Sequence, residues 1–283
     1  MVSTVIDAHQ HFWDPETADY PWMNGAYQPL RRAFGPSHLA PLLENSGVNA
    51  TIVVQARQDL DETHFLLEIS ATTPWVAGVV GWVDLTSPDV AETVAAVRDG
   101  DPGDRLVGIR HLVHDEPDPE WLLRDDVMSG LGVVAEAGLA YDLLVRDREL
   151  PAAIEVARRL PGLRFVLDHL GKPPISTQQT EPWASAIAEI ARLPNVTCKV
   201  SGLVTEAEWS TWLPADLTPY VGMAVDLFGA DRLMWGSDWP VCTLAAGYSE
   251  VYEVTVEILA DLVGDELGWV LGGCAAATYG LES

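Results

Sequence analysis

His9 and His11 are one residue apart in Asp7-Ala8-His9-Gln10-His11, which directly follows the apolar, strand-like start Val5-Ile6. Side chains alternate along a strand, so Asp7, His9 and His11 are expected on one side, with two imidazoles converging on a point. Such a pair can supply two nitrogens to a metal, although HxH by itself is short enough to recur by chance. Charge emerges again after the apolar run Phe165-Val166-Leu167, in Asp168-His169-Leu170-Gly171-Lys172-Pro173. His169 is taken as the third site residue and Lys172 as a substrate-binding cation. The competing reading makes His169 a hydrogen-bonded strand cap and Asp168 the functional group. In Gly236-Ser237-Asp238-Trp239-Pro240 an ionised Asp238 would face the histidines, which makes it the natural general base. A helix N-cap is the alternative, and the Trp-Pro that follows weakens it.

Positioning these groups requires elements that end at one place. Short β-branched runs recur around Val5, Thr51 to Val54, Val76 to Val83, Leu106 to Ile109, Ala140 to Val145, Leu163 to Leu167, Val196 to Val200 and Leu233 to Trp235. Segments with helical periodicity lie between them, with start signals at Asp59/Glu62, Ser87-Pro88 and Asp147. Eight alternating strands predict an α/β fold, a single (β/α)8 TIM barrel over residues 1–283, rather than an open sheet with a glycine-rich phosphate turn. The longest connection, Phe12 to about Pro36, follows the first strand on the face where barrels place their chemistry, and is a candidate lid.

On this frame four of the seven histidines, His9, His11, His111 and His169, fall at predicted strand ends. Gly108-Ile109-Arg110-His111 turns either Arg110 or His111 inward, toward an oxygen-rich substrate or a developing oxyanion. A plain salt bridge is the rival role for Arg110. Thr197, Lys199 and Ser201 alternate with Val196, Cys198 and Val200, so the polar set is expected inside the barrel, with Lys199 paired to an acid such as Asp7. Of the 11 tryptophans, Trp13 and Trp239 are singled out to stack on the C–H faces of a sugar. His38, His64 and His114 read as solvent-facing, and Cys242, with no base partner, as packing.

With 16 Lys and Arg against 42 Asp and Glu, the formal charge is −26, and such a field repels nucleic acid and anionic membrane. A neutral small molecule remains open as a partner, and so does a homo-oligomer. Cys198, Cys242 and Cys274 are widely spaced, with no CxxC pair, which fits a reducing compartment. Without a leader-like start or an apolar stretch of about 18 residues, the expectation is a cytoplasmic protein.

The first-, fourth-, sixth- and eighth-strand motifs, together with Cys198-Lys199-Val200-Ser201-Gly202-Leu203, resemble the amidohydrolase superfamily. Within it they resemble the amidohydrolase-related group of L-fuconolactonase- and L-rhamnonolactonase-like sugar lactonases. The resemblance runs from the first strand to the eighth. It implies a distorted barrel that hydrolyses a sugar-acid lactone, with Asp238, His169, His9 and His11 at the centre. It also implies at most one zinc, held by His9, His11 and Asp238 with help from His169, because the fourth and fifth strands lack the ligands of a two-metal centre. Chemistry without metal is the other option it leaves, with the histidines and an arginine polarising the carbonyl. Two rivals remain: a metal-dependent decarboxylase of aromatic or unsaturated acids on the same fold, and a sugar-binding barrel without catalysis.

Overall fold

A computed structural model describes residues 4–281. Its strands are β1 (Ile6–Gln10), β2 (Ala50–Val54), β3 (Val76–Gly81), β4 (Leu106–His111), β5 (Ala140–Leu143), β6 (Arg164–Leu167), β7 (Val196–Val200) and β8 (Leu233–Trp235). They form one parallel sheet in chain order, and β8 returns to β1 through a parallel bridge between Gln10 and Trp239. The eight are the predicted runs, nearly closed into a barrel. Each is almost wholly buried because helices cover the sheet outside and side chains fill it inside, which is why the strands are mainly apolar and their charged residues, such as Asp142 and Lys199, are paired.

The helices are α1 (Pro36–Ser46), α2 (Leu60–Thr72), α3 (Val90–Arg98), α4 (Asp125–Glu136), α5 (Leu150–Arg159), α6 (Trp183–Ile190), α7 (Leu203–Glu206), α8 (Pro214–Phe228), α9 (Tyr248–Val263) and α10 (Cys274–Tyr279). Asp59 caps α2 as expected, its side chain accepting the Asp61 N–H. The helices expected after Ser87 and Asp147 begin a little later, at Val90 and at Leu150. Inside the barrel Ile6, Ala8, Ile52, Val54, Val80, Ala140, Val166 and Met234 pack together, and α10 closes the bottom with Cys274, Ala275 and Tyr279.

One irregularity aims the site. Between Asp7 and Gln10 the register of β1 against β2 shifts, Asp7 pairing with Thr51 but Gln10 with Val53. This extra residue breaks the alternation. Ile6 and Ala8 face the interior, His9 then also points in, and Asp7 points out to α9, where the Tyr248 hydroxyl donates to it at 3.1 Å. The expectation that Asp7, His9 and His11 share one side is corrected on this point.

The long connection after β1 is a packed layer. Trp13, Tyr20, Met23, Leu30 and Phe34 are buried, and an antiparallel bridge joins Trp13 to Phe34. Among the described residues no helix is long and apolar enough to cross a membrane.

Candidate active site

At the C-terminal mouth of the barrel β1 delivers His9 and His11 with their Nε2 atoms 3.2 Å apart. Asp238, just beyond β8, places Oδ1 3.4 Å from His11 Nε2, 3.8 Å from His9 Nε2 and 4.0 Å from His169 Nε2. Backbone bonds across the β1/β8 seam fix this approach: Asp238 N–H donates to His9 O at 2.8 Å and His11 N–H to Trp239 O at 2.7 Å. The seam is so tight that a Cβ on Gly236 would stand 2.8 Å from His9 Cβ. His169 follows β6, its Nδ1 2.9 Å from Ser201 Oγ beyond β7. Gly202 has φ +63°, and a Cβ there would lie 2.6 Å from His169 Nδ1, so only glycine fits. His169, Leu170, Lys172 and Asp238 themselves adopt left-handed φ between 53° and 58°. That conformation is uncommon for non-glycine residues, and its concentration here is of the kind that functional sites hold.

Beneath this floor lies a buried charge network. Asp168 Oδ2 accepts from Arg110 at 3.0 Å, while its Oδ1 lies 3.0 Å from Lys199 Nζ and 3.3 Å from His9 Nδ1. Lys199 also donates to Asp142 at 2.5 Å, and the Tyr279 hydroxyl donates to the same carboxylate. Lys199 is therefore the buried counter-charge expected of it, but its partners are Asp142 and Asp168, not Asp7, which the shift in β1 turns away. Asp7 accepts instead from the Ser237 and His9 N–H groups, and burial pushes its carboxyl up to about 6.

Burial also lowers the pKa values of His9, His11 and His169, favouring neutral imidazoles. For Asp238 burial acts the other way, but His169 and His11, when protonated, and Lys172 outweigh it and hold the carboxyl below its ordinary value. The arrangement sets a carboxylate against three buried imidazoles, and a carboxylate so placed can accept a proton.

Above the floor a cavity of ≈ 310 Å³ opens, at the small end of the range for ligand sites. His11, Arg110, His169 and Asp238 form its base. Trp22 and Tyr27, from the connection after β1, make an aromatic side, and Leu112, Leu144 and Val241 add apolar surface. His114, Asp115, Arg146, Lys172 and Glu206 supply the polar part of the lining. Trp22 is anchored by its indole N–H on Ala56 O at 2.9 Å. Burial, with Lys172, Arg146 and Arg110 nearby, pushes His114 down to about 2, so it is neutral.

The structure therefore brings His9, His11, His169, Asp238, Arg110 and Lys172 together, and does not bring three other predicted residues to the cavity. Of the pair on β4, Arg110 is the inward one. His111 points aside, stacked on Trp121 with ring centroids 4.0 Å apart, its nitrogens engaged by the Trp82 indole and Glu116. Trp13 spends its indole N–H on the carbonyls of Leu30 and Arg32, and Trp239 is packed among Phe12 and Phe34. Both are core. Trp22, Tyr27, Arg146 and Glu206 were not singled out, and His114, read as solvent-facing, lines the cavity; all lie in connections between strands that have too little regular structure to show a period. One signal was available: the chain has only two lysines, Lys172 and Lys199, and both are at this centre, whereas its other cationic side chains are arginines.

The donor set fits one metal ion. His9, His11 and Asp238 each offer a ligand atom within 4.8 Å of the others, as do His9, Asp168 and His169. The separations of 3.2, 3.4 and 3.8 Å in the first group approximate the edges of a tetrahedron with bonds of about 2.0–2.2 Å, the geometry zinc takes. His11 Nδ1 is 2.7 Å from Val54 O, and donating there leaves Nε2 free to coordinate.

Comparison with known proteins agrees with this geometry. The amidohydrolase family matches residues 6–281. An L-fucono-1,5-lactonase of Burkholderia ambifaria is 44% identical over 245 residues, 87% of this chain and 83% of that protein. An L-fucono-1,5-lactonase of Burkholderia multivorans is 42% identical over 288 residues, 98% of this chain and 96% of that protein. A crystal structure of an amidohydrolase from Burkholderia multivorans, with bound zinc, superposes with a TM-score of 0.93 at 40% identity, covering 99% of this chain and 100% of that one.

Proposed function

The chain belongs to the amidohydrolase family, and from that premise we propose that it hydrolyses a neutral sugar-acid lactone of the L-fuconolactone or L-rhamnonolactone kind. The observation that carries the reading is the buried carboxylate of Asp238 set against His9, His11 and His169 at the base of a small cavity. The lining adds a second argument. Arg146 and Lys172 are met by Asp115, Glu206 and Asp238, and Arg110 is held by Asp168, so the cavity has no surplus positive charge to offer a carboxylated aromatic acid. That favours the lactone over a decarboxylase substrate. The aromatic side formed by Trp22 and Tyr27 suits the C–H face of a sugar ring.

In this reading Asp238 takes a proton from water, the water oxygen attacks the ring carbonyl, and the same carboxyl returns the proton to the departing ring oxygen. His169, accepting the Ser201 hydroxyl proton at Nδ1, turns Nε2–H toward the carbonyl oxygen as it gains charge, and Arg110 supports it from below. A zinc on His9, His11 and Asp238 would supply Lewis-acid polarisation and acidify water. Lys172 is placed to meet a substrate hydroxyl. The site draws on strands from both ends of the chain, which supports treating it as one barrel domain. Three free, buried cysteines support a reducing compartment such as the cytoplasm.

A pH-indicator screen over aldonolactones, run with and without exhaustive chelation, tests substrate and metal together. Acid release from at least one neutral lactone is expected, and none from any member of the panel would overturn the assignment.

A further inference from the structure

Glu206 lies in the cavity lining between Lys172 and Arg146. Its Oε1 lies 2.6 Å from Lys172 Nζ and its Oε2 3.6 Å from Arg146 Nη1, so one carboxylate bridges two cations across the cavity wall. The three side chains come from the connections after β5, β6 and β7, and their meeting is a tertiary arrangement rather than a local helix pair. Lys172 and Glu206 are only 12% and 14% exposed, so water screens their interaction incompletely. Lys172 is also held at φ +54°, in a segment whose strain is sustained by its surroundings. The other groups on this side offer an anion little: His114 is neutral and Arg110 is engaged by Asp168.

We propose that Glu206 is a specificity-determining residue, a built-in anion that occupies Lys172 and Arg146 and so makes the cavity select neutral lactones over carboxylated ones. A ligand carboxylate reaching this wall meets Glu206 at close range and must share two cations already paired. A hydroxyl meets no such penalty, and can accept from Lys172 or donate to Glu206. Selectivity of this kind comes from repelling the wrong ligand as much as from holding the right one. The choice of lactones rests on the functional reading above, whereas the charge argument stands without it.

The test is Glu206→Gln, which keeps size and an amide oxygen for Lys172 while removing the charge. Citrate is the anionic probe, titrated by calorimetry at low and high salt, a measurement that needs no turnover. The variant is expected to bind citrate about tenfold or more tightly than wild type at low salt, with the gain fading at high salt. Glu206→Asp should restore the wild-type value, and adding Lys172→Gln to Glu206→Gln should abolish the gain. Citrate affinity unchanged in Glu206→Gln, or a gain that persists without Lys172, overturns the proposal. Wild-type protein gives an independent check should the variants not fold: equal kcat/KM for a neutral aldonolactone and for one bearing a free carboxylate also overturns it. If no lactone is hydrolysed but Glu206→Gln gains citrate, the functional reading fails and the role of Glu206 stands.

Discussion

At the floor of the cavity every reactive side chain is gripped from several sides, whereas at its wall most are held by one or two contacts. His9 is reached by Asp168, Lys199, Arg110 and His11 within 3.3 Å, and no part of it is exposed. Trp22 stands on a single indole hydrogen bond and edge contacts to Trp13 and Tyr27, and Arg146, 45% exposed, on one ion pair. The floor sits on strand ends whose geometry the barrel imposes; the wall sits on the connections that follow them. Chemistry and selectivity should therefore fail separately, floor substitutions lowering kcat or stability and wall substitutions changing KM.

The largest effect should come from Asp238→Asn, which removes the proposed base but little volume. We expect kcat to fall about 10³-fold or more, with KM and the melting temperature close to wild type. Near-normal turnover would remove Asp238 from its role. Next comes Lys199→Met. It leaves the buried carboxylates of Asp142 and Asp168 without their shared cation, and should cost about 3 kcal/mol or more in urea unfolding. A loss below about 1 kcal/mol would show that the network does not hold the floor up.

The same contrast explains what could be read in advance. β-branched runs and the charge emerging at their ends mark the strands, and through them His9, His11, His169, Asp238 and Arg110, because a strand end fixes where its side chain goes. The bulge in β1 carries no such mark, so the direction of Asp7 and the partner of Lys199 were both misjudged. Tryptophan adjacent to a site motif was equally misleading: Trp13 and Trp239 flank the motifs and are core, while Trp22, in mid-loop, is the one that reaches the ligand space. His114 and Glu206 belong to connections whose course is set by packing on neighbouring loops, and a single sequence encodes that only diffusely.

A pH experiment sharpens the comparison, because floor and wall anchor should respond with opposite sign. Glu62, in α2, accepts the Ala56 and Arg57 N–H groups at 2.9 and 2.7 Å, holding the turn on which Trp22 rests. Burial pushes its carboxyl from 4.5 up to about 7, against the lowering effect of those bonds. Between these values the native state keeps a proton that the unfolded chain has released, so this group's contribution to stability falls as pH rises through the window. The floor histidines, lowered from 6.5, do the reverse and lose stability as pH falls. Both bonds go to one oxygen, so Glu62→Gln keeps them. Relative to wild type it should gain on the order of 2 kcal/mol between pH 5 and 8. Parallel stability profiles for the two proteins would refute the assignment.

The smallest effect expected, and the most direct comparison of the two regions, is at Trp22. Replacing it with alanine removes one aromatic face and the indole bond to Ala56 O, but touches neither Asp238 nor any histidine. If the ring only packs against the sugar in ground state and transition state alike, its loss weakens both equally. KM should then rise about tenfold with kcat changed by no more than about twofold. Trp22→Phe keeps a face without the N–H and should recover most of that loss, which separates stacking from anchoring of the turn. A fall in kcat comparable to that of Asp238→Asn would mean that the aromatic wall aligns the reacting carbonyl. Floor and wall would then be a single device.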